Sequence, residues 1–460
     1  MVVGFALVFN LLATHAYSAQ TPLNVTALNR DYQKLSTEIY SELSKNLRQC
    51  RNRTKSLKHL NKQIIKLASQ KKGVIGVCLI HNHLPLILNN LDSKEIFPIF
   101  QYLLDRNNIS GANKIYSLAS LESDQSFISN LSFIYAQYFM KRNDWKKVLQ
   151  YTEGTYNDLT KENANLARLY TGIALQKLKQ HRKAVKIYLK IPHSSMHYPA
   201  ARLNIATAYI RQDWWTDAHI EINKVIKDKS INTDNEMINR LYLVLGYSLL
   251  RKEFHRDSRE AFRNIKIDSI YFNKALLGIA LTAANQEDFI GALNAVNILK
   301  SKEIIDLAVD ESYLLQPYIY EKLQQNLTAS ASYTEAQTYY KNRIDTISEF
   351  KKHNDISALS ILTNKNFLEI KNNIFSLPTN FSADILNNNI SLIDLSKYIE
   401  NINNEALIKK FKVLLKNYGI ALKQHVNSVF DKRITYLERH ISQSRYGLAR
   451  LFDHSNLETQ

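Results

Sequence analysis

Apolar residues recur along most of the chain at the spacing of one helix face. Leu35, Ile39, Leu43 and Leu47 are each four residues apart, and the C-terminal part continues the pattern from Leu407 to Ile441. This spacing predicts long amphipathic helices near both ends of the chain. The run GVIGVCLI at residues 73–80 has no polar interruption, so a short strand and a buried helix both remain open for it.

Four segments in the middle of the chain share one arrangement of small and large residues: 166–191, 201–226, 241–265 and 276–299. In each, a small residue is followed by a second small residue twelve positions later and a large one four positions further on. The three sets are Gly172, Ala206, Gly246 and Ala280; Ala184, Ala218, Ser258 and Ala292; and Tyr188, Ile222, Phe262 and Val296. Successive copies are offset by 34, 40 and 34 residues, which indicates a tandem repeat.

This arrangement resembles the tetratricopeptide repeat family, whose unit of 34 residues is a pair of helices. The family also carries an aromatic residue near position 17, where this chain has His181, Trp215, His255 and Phe289. A small residue on each helix lets the pair approach closely, and the large residue fills the gap to the next repeat. The resemblance implies an all-α, right-handed α-solenoid of helix-turn-helix repeats with helical N- and C-terminal extensions.

Weaker copies extend the array to residues 93–345, with the strongest part at 165–300, and predict five to seven repeats. Their matching positions are Phe100, Ala112 and Tyr116; Ala136, Trp145 and Val148; and Tyr333, Ala336 and Tyr340. The last set predicts the second helix of a pair. Its partner, the first helix, is expected around Leu314–Leu323 and contains Pro317, and a longer loop is expected between the two.

The N-terminus predicts a secretory signal at residues 1–19. An apolar run from Val2 to Ala13 precedes small residues, which places cleavage after Ser18 or Ala19. No Lys or Arg precedes Arg30, so a cytoplasmic protein with an apolar first helix is the alternative to a periplasmic or cell-envelope location.

Composition narrows the class of protein. Only 11 glycines and 7 prolines occur in 460 residues, and 45% of residues are hydrophobic, which fits a folded helical protein and excludes wholesale disorder. The formal net charge is +18, and half of the excess lies in residues 20–72, with twelve Lys/Arg against three Asp/Glu. These residues belong to a basic helical N-terminal region, 20–92, whose charge indicates either contact with an anionic surface or a solvated helix face.

Residues 346–460 are predicted to form an Asn-rich connector with short helices and then a helical C-terminal cap of one or two long helices, in which Gly419 marks a candidate kink or break. Terminal helices commonly cap repeat arrays.

The chain offers little for catalysis or metal binding. His81 and His83 lack the further ligands of a metal site, and the pair Asp310-Glu311 is expected in an exposed loop. Cys50 and Cys78 are the only cysteines, and two unpaired thiols are favoured over a disulfide. The expectation is a protein without enzymatic activity, cofactor, metal or nucleic-acid partner.

The resemblance implies a concave surface lined by the first helix of each repeat, which takes up a peptide or helix of a partner protein. Carried over position by position, it selects Lys177, Thr207, Arg211, Arg240, Tyr247, Arg251 and Lys274. This face carries cations and no acids, so it predicts a scaffold for an acidic protein segment. The alternative is an anionic-surface binder, for membrane or lipopolysaccharide, that uses residues 20–72 with the repeats as a spacer. The oligomeric state and the partner's identity stay open.

Overall fold

The computed structural model describes residues 24–51, 54–70, 72–228, 230, 235–302, 306–352, 367–370, 373–376 and 383–457. The expected signal segment and its cleavage site lie outside these residues. Within them, no helix combines the length and the apolar character that a membrane span requires.

Among the described residues, four α-helices precede the repeats: α1 (Val25–Asn46), α2 (Leu57–Ser69), α3 (Gly73–Asn82) and α4 (Leu84–Leu88). The apolar run left open between strand and helix is α3. Its residues from Gly73 to Ile80 are all buried, because a helix that is apolar on every side must be enclosed by neighbours.

In the described part of residues 96–352, fourteen helices form seven consecutive hairpins, which confirms the predicted all-α repeat array and reaches the upper end of its expected length. The pairs are α5 (Ile96–Asp105) and α6 (Ile109–Glu122); α7 (Gln125–Lys141) and α8 (Trp145–Thr152); α9 (Lys161–Lys177) and α10 (His181–Tyr188); α11 (Tyr198–Ile210) and α12 (Trp215–Ile226); α13 (Asn235–Arg251) and α14 (His255–Arg263); α15 (Phe272–Asn285) and α16 (Phe289–Lys300); α17 (Leu307–Lys322) and α18 (Asn326–Lys352). The longer loop expected before Tyr333 is wrong, since only residues 323–325 separate α17 from α18.

Every hairpin turns in the same way. In each turn, a single residue just beyond the end of the first helix has a left-handed backbone. Its φ lies between 56° and 64°, and the seven residues are Asn107, Asn143, Lys179, Asp213, Glu253, Glu287 and Gln324. The amide of the following residue donates to the carbonyl five positions earlier, as from Asp288 to Ala283 at 2.9 Å. These bonds satisfy the last carbonyls of the first helix and make a sharp, repeated reversal.

Glu287→Gly is expected to raise the free energy of unfolding by about 1 kcal/mol, because glycine adopts the left-handed conformation without the Cβ clash. Glu287 is exposed and has φ of 61°, so the change removes strain and little else. Gln286→Gly is the matched control, since φ there is −91° and glycine brings no relief. Urea unfolding of both variants checks the prediction, and equal midpoints would contradict it.

The small and large residues of the repeat pattern contact one another where the helices of the hairpins pack. A Cβ built on Gly172 would lie 2.2 Å from the ring of Tyr188, and Ala184, Ala206, Ala218 and the other small alanines of the four copies are fully buried. The ring of Phe262 fits between two glycines of successive repeats, Gly246 and Gly278. Each hairpin therefore depends on its neighbour to enclose its large side chain.

Beyond the array lie a two-stranded antiparallel hairpin, β1 (Phe367–Ile370) and β2 (Asn373–Ser376), and the helices α19 (Ala383–Ser396) and α20 (Glu405–Leu457). The strands are the one departure from the all-α expectation among the described residues. Helix α20 runs unbroken through Gly419, so the chain does not leave the helix there. The rest of the Asn-rich connector lies mostly outside the described residues.

Helix α20 joins the two ends of the array. Its second half packs antiparallel to α18, where Tyr340 lies edge-on to His440 at 5.2 Å between ring centroids. Its first half reaches α1, where the rings of Tyr32 and Tyr418 are 6.2 Å apart. Buried residues of α1 to α8 and of α18 to α20 consequently form one continuous apolar core. The array is closed on itself instead of ending in two free caps.

A buried polar cluster holds the junction of α1, α19 and α20. The amide of Asn388 donates to Asn29 Oδ1 at 2.7 Å and to the hydroxyl of Tyr418 at 2.8 Å. Asn107, at the turn of the first hairpin, donates in turn to Asn388 and accepts from the hydroxyl of Tyr138 at 2.6 Å. Because amides buried without partners are costly, these bonds select one arrangement of the three helices.

The expectation that Asp310 and Glu311 lie in an exposed loop is wrong. Both are on α17 beneath α20, and Asp310 is fully buried. Asp310 pairs with Arg433 and accepts from the hydroxyl of Tyr339 at 2.8 Å, while Glu311 lies 3.4 Å from His440. A buried carboxylate needs such partners, and they attach the second half of α20 to the last repeat.

The expectation of two unpaired thiols is also wrong, because Cys50 and Cys78 form a disulfide with their Cα atoms 5.6 Å apart. Cys50 lies on the short 3₁₀ turn Arg48–Arg51 and Cys78 in the middle of α3. The side chain of Asn82 donates to the carbonyl of Cys50 at 2.9 Å, and the amide of Thr54 donates to the buried ring of His83 at 3.1 Å. The bond pins the segment between α1 and α2 onto α3.

Reduction of this disulfide is expected to lower the free energy of unfolding by about 3–4 kcal/mol, the chain-entropy value for a loop of this size. The two cysteines are 28 residues apart in sequence. Thermal unfolding with and without a phosphine reductant measures the effect. A variant with Cys50→Ala and Cys78→Ala should lose the same amount and no longer respond to the reductant. An unchanged wild-type melting temperature under reduction would contradict the prediction.

Candidate functional site

The first helices of the repeats form the inner side of the array. Helices α9, α11, α13, α15 and α17 each contact the next in this series, whereas the second helices approach one another less closely and pack mainly on first helices. In a curved stack the layer with the tighter curvature has the closer neighbours. The first helices therefore line the concave face, on which the candidate residues were placed by sequence.

Three of those residues are cations of successive first helices that contact one another, and we call them the cationic cluster. Lys177, Arg211 and Arg240 are exposed residues of three successive repeats, the third, fourth and fifth. Partial burial and the positive charges of Arg211 and Arg240 lower the pKa of Lys177. None of them has a carboxylate partner within the part of the chain that the structure describes.

Aromatic and imidazole groups border the cluster. The Lys177 ammonium lies 5.8 Å from the ring centroid of Trp145, at the start of α8. Burial and the charge of Arg211 lower the pKa of His181, at the start of α10, so the imidazole is neutral near pH 7. Trp145 and His181 were recognised in the sequence only as repeat positions. Their place at the start of each second helix was the signal that they would lie next to the ends of the first helices.

The other candidate residues contribute less to this surface. Tyr247 is largely buried, packs on Phe262 and donates to the carbonyl of Lys274 at 2.7 Å, so its assignment to an open face is wrong. Thr207 is half-buried and bonds a carbonyl of its own helix. Arg251 lies 3.8 Å from Asp213 and over the ring of Trp215, while the side chain of Lys274 is half-buried.

The cluster can bind anions but lacks the groups of a catalytic or metal site. Lysine and arginine donate hydrogen bonds and hold positive charge, which suits carboxylates. Across the described residues, no group of three or more His, Cys, Asp or Glu side chains is placed to hold a metal ion. His81 stacks on Tyr40 and His83 bonds backbone groups, so both serve the packing of the N-terminal helices.

Comparison with known proteins adds little detail. No family model and no curated protein matches the chain. Among solved structures it is similar to the tetratricopeptide repeat domain of P58(IPK), with 10% identity and a TM-score of 0.19 over 80% of this chain and 98% of that one. It is also similar to a circular tandem repeat protein with a novel repeat topology, with 9% identity and a TM-score of 0.15 over 95% and 99% of the two chains. The hairpins, turns and packing of this chain define its tetratricopeptide-like repeat fold.

Proposed function

We propose that the protein is a non-enzymatic scaffold whose concave face binds an acidic helix or extended segment of a partner protein. The observation that carries the proposal is the cationic cluster of Lys177, Arg211 and Arg240. Three like charges held near one another without counter-charges are unfavourable in the free protein. A partner that brings carboxylates to this place relieves the repulsion and gains charge-assisted hydrogen bonds.

The neighbourhood of the cluster favours a protein segment over a small anion. Half-buried apolar side chains lie beside the cations on the same helices, Ile173 on α9, Ile210 on α11 and Leu243 on α13. A segment with alternating carboxylates and apolar anchors can use both kinds of contact, whereas a small anion uses only the charges. Because the cations come from three repeats, binding also depends on the curvature that the packed hairpins define.

We further propose that the protein acts in an oxidising compartment, the periplasm or cell envelope of a bacterium. The disulfide between Cys50 and Cys78 supports this location, since thiols are kept reduced in the cytoplasm. Cell fractionation with N-terminal sequencing tests the proposal. The expected result is an exported chain that begins at Ala19 or Gln20, and a full-length cytoplasmic chain with free thiols would contradict it.

Crosslinking in native cells, followed by mass spectrometry, tests the binding face. A photoreactive residue at Thr207 places the probe on the same face as the cluster. The variant K177Q/R211Q/R240Q should lose the crosslinked partner while its melting temperature stays near that of the wild type, because all three side chains are exposed.

The matched control is K183Q/K186Q/K190Q, which removes three exposed lysines on and just after α10. It changes the net charge equally but leaves the first helices untouched, so it should keep the partner. Equal crosslinking by both triple variants and the wild type would refute the proposed site.

A further inference from the structure

A second cationic surface lies far from the concave cluster in sequence. Six exposed cations follow the 3₁₀ turn and the solvent side of α2: Arg48, Arg51, Lys55, Lys58, Lys62 and Lys66. We call these six residues the α2 basic face. The last three are four residues apart, so they form one straight row along the helix. None of the six has a carboxylate partner among the residues that the structure describes.

No acid is available to neutralise this face from its own stretch of chain. Between Glu42 and Asp92 the sequence has no Asp or Glu, and between Tyr40 and Phe97 it has no Phe, Tyr or Trp. The nearby carboxylate of Glu95 is turned inward, where it accepts a hydrogen bond from the amide of Asn61 at 2.6 Å. The α2 basic face therefore has no carboxylate from its own stretch of chain, and the exposed imidazole of His59 lies beside its lysines.

The opposite side of α2 is already occupied by the protein. Leu57, Leu60 and Ile64 are buried, and α2 packs against α3 and α5. The helix cannot turn these residues toward a partner without leaving the core. Only Ile65, with 65% of its surface exposed, accompanies the cations outward. A partner that contacts this face must therefore be held by charge, because α2 has no free apolar side to insert into it.

The disulfide fixes the α2 basic face in place. Cys50 lies between Arg48 and Arg51, and its bond to Cys78 holds their turn on α3. The amide of Thr54, bonded to His83, fixes the chain just before Lys55 and α2. The cations are thus presented on a rigid support, while each lysine keeps a flexible stem.

We propose that the α2 basic face holds the protein on an anionic phospholipid bilayer. A row of lysines with no Asp or Glu in its own stretch of chain suits a laterally fluid array of negative charges. A defined carboxylate or phosphate site on a protein would instead call for the fork geometry of arginine. Juxtaposed lysines and arginines of this number are attracted to an anionic membrane surface, and the attraction falls off within a Debye length.

Vesicle sedimentation with the full, oxidised protein tests the proposal. The probes are vesicles of phosphatidylcholine alone and vesicles of phosphatidylcholine mixed with phosphatidylglycerol, each across a salt series. The expected result is binding only to the mixed vesicles, with an affinity that falls steeply as salt rises. K58Q/K62Q/K66Q should weaken it by roughly a hundredfold, because each cation near an anionic surface contributes about a factor of five.

The control variant is again K183Q/K186Q/K190Q, which has the same net charge as the α2 variant. It should bind the mixed vesicles as the wild type does. No binding to mixed vesicles at low salt, equal loss by both variants, or equal binding to neutral vesicles would each overturn the proposal. Since the concave cluster uses other residues, this outcome leaves the proposed scaffold function to be judged by its own crosslinking test.

Discussion

Arg433→Met is expected to destabilise the protein by about 3–5 kcal/mol, the usual result of removing one partner of a buried ion pair. Asp310 is fully buried beneath α20, and Arg433 is the cation that pairs with it. Without Arg433 the carboxylate keeps the hydroxyl of Tyr339 but has lost its main counter-charge. Because this pair attaches α20 to the last repeat, the loss should also expose the edge of α18 to hydrogen exchange.

The effect should depend on pH in a defined direction. Burial raises the pKa of Asp310 above its usual value, and the charge of Arg433 opposes that rise. Removing Arg433 raises this pKa further, so the folded variant takes up a proton more readily than the unfolded chain. Its stability deficit should therefore shrink as the pH is lowered from neutral.

Arg439→Met is the matched control, since Arg439 is exposed on the same helix, and should change the free energy of unfolding by less than about 0.5 kcal/mol. Combining Arg433→Met with Asp310→Asn should cost less than the sum of the single changes, because no charge is then left buried. Urea unfolding of the wild type, Arg433→Met, Asp310→Asn and the double variant completes the double-mutant cycle. Additive losses would show that the two side chains do not interact.

Gly246→Leu is expected to cost about 3 kcal/mol through overpacking of the Phe262 site. A Cβ on Gly246 would lie 2.6 Å from the ring of Phe262, and a Cβ on Gly278 would lie 2.4 Å from the other edge of that ring. The ring has no room to move away from either helix. Ala218→Trp, at a fully buried position of the preceding repeat, should have an effect of similar size for the same reason.

Gly419→Leu is the control for this substitution. Gly419 also lies inside a helix, but a Cβ there meets nothing within 4 Å. The higher helix propensity of leucine should leave the stability equal or slightly raised. Thermal unfolding compares the two leucine variants, and equal melting temperatures would mean that the assigned packing of the hairpins is incorrect.

The repeat fold could be predicted because its signal is local. Small residues such as Gly172 and Ala184 recur within one hairpin, and close contact of the two helices requires them at that spacing. The closure of the array was missed, because α1 and α20 meet across nearly the whole chain. Periodicity along the sequence places Tyr32 and Tyr418 on apolar helix faces but does not reveal that those faces meet.

For the candidate site, too, the local pattern could be predicted from the sequence and the contacts between repeats could not. Repeat positions assigned Lys177, Arg211 and Arg240 to one face, and in the structure all three are exposed residues of successive repeats. The same reasoning failed for Tyr247, whose long side chain crosses to the backbone of the next repeat at Lys274. The disulfide was missed because helical patterns carry no information about the distance between Cys50 and Cys78. The periodicity of the sequence shows on which face of a helix a side chain lies. Whether that side chain is buried, and which groups it bonds, depends on the neighbouring repeats.

Distance measurement by double electron–electron resonance tests most directly that the array of hairpins is closed by α20. Spin labels are attached at Arg30→Cys on α1 and Lys416→Cys on α20, two exposed positions near the contact between Asn29 and Tyr418. The native cysteines form a disulfide and do not compete for the label. The expected result is one narrow, short distance, as for labels on neighbouring helices whose axes are about 8–10 Å apart. A broad distribution at long distances would show that the two ends of the array do not meet.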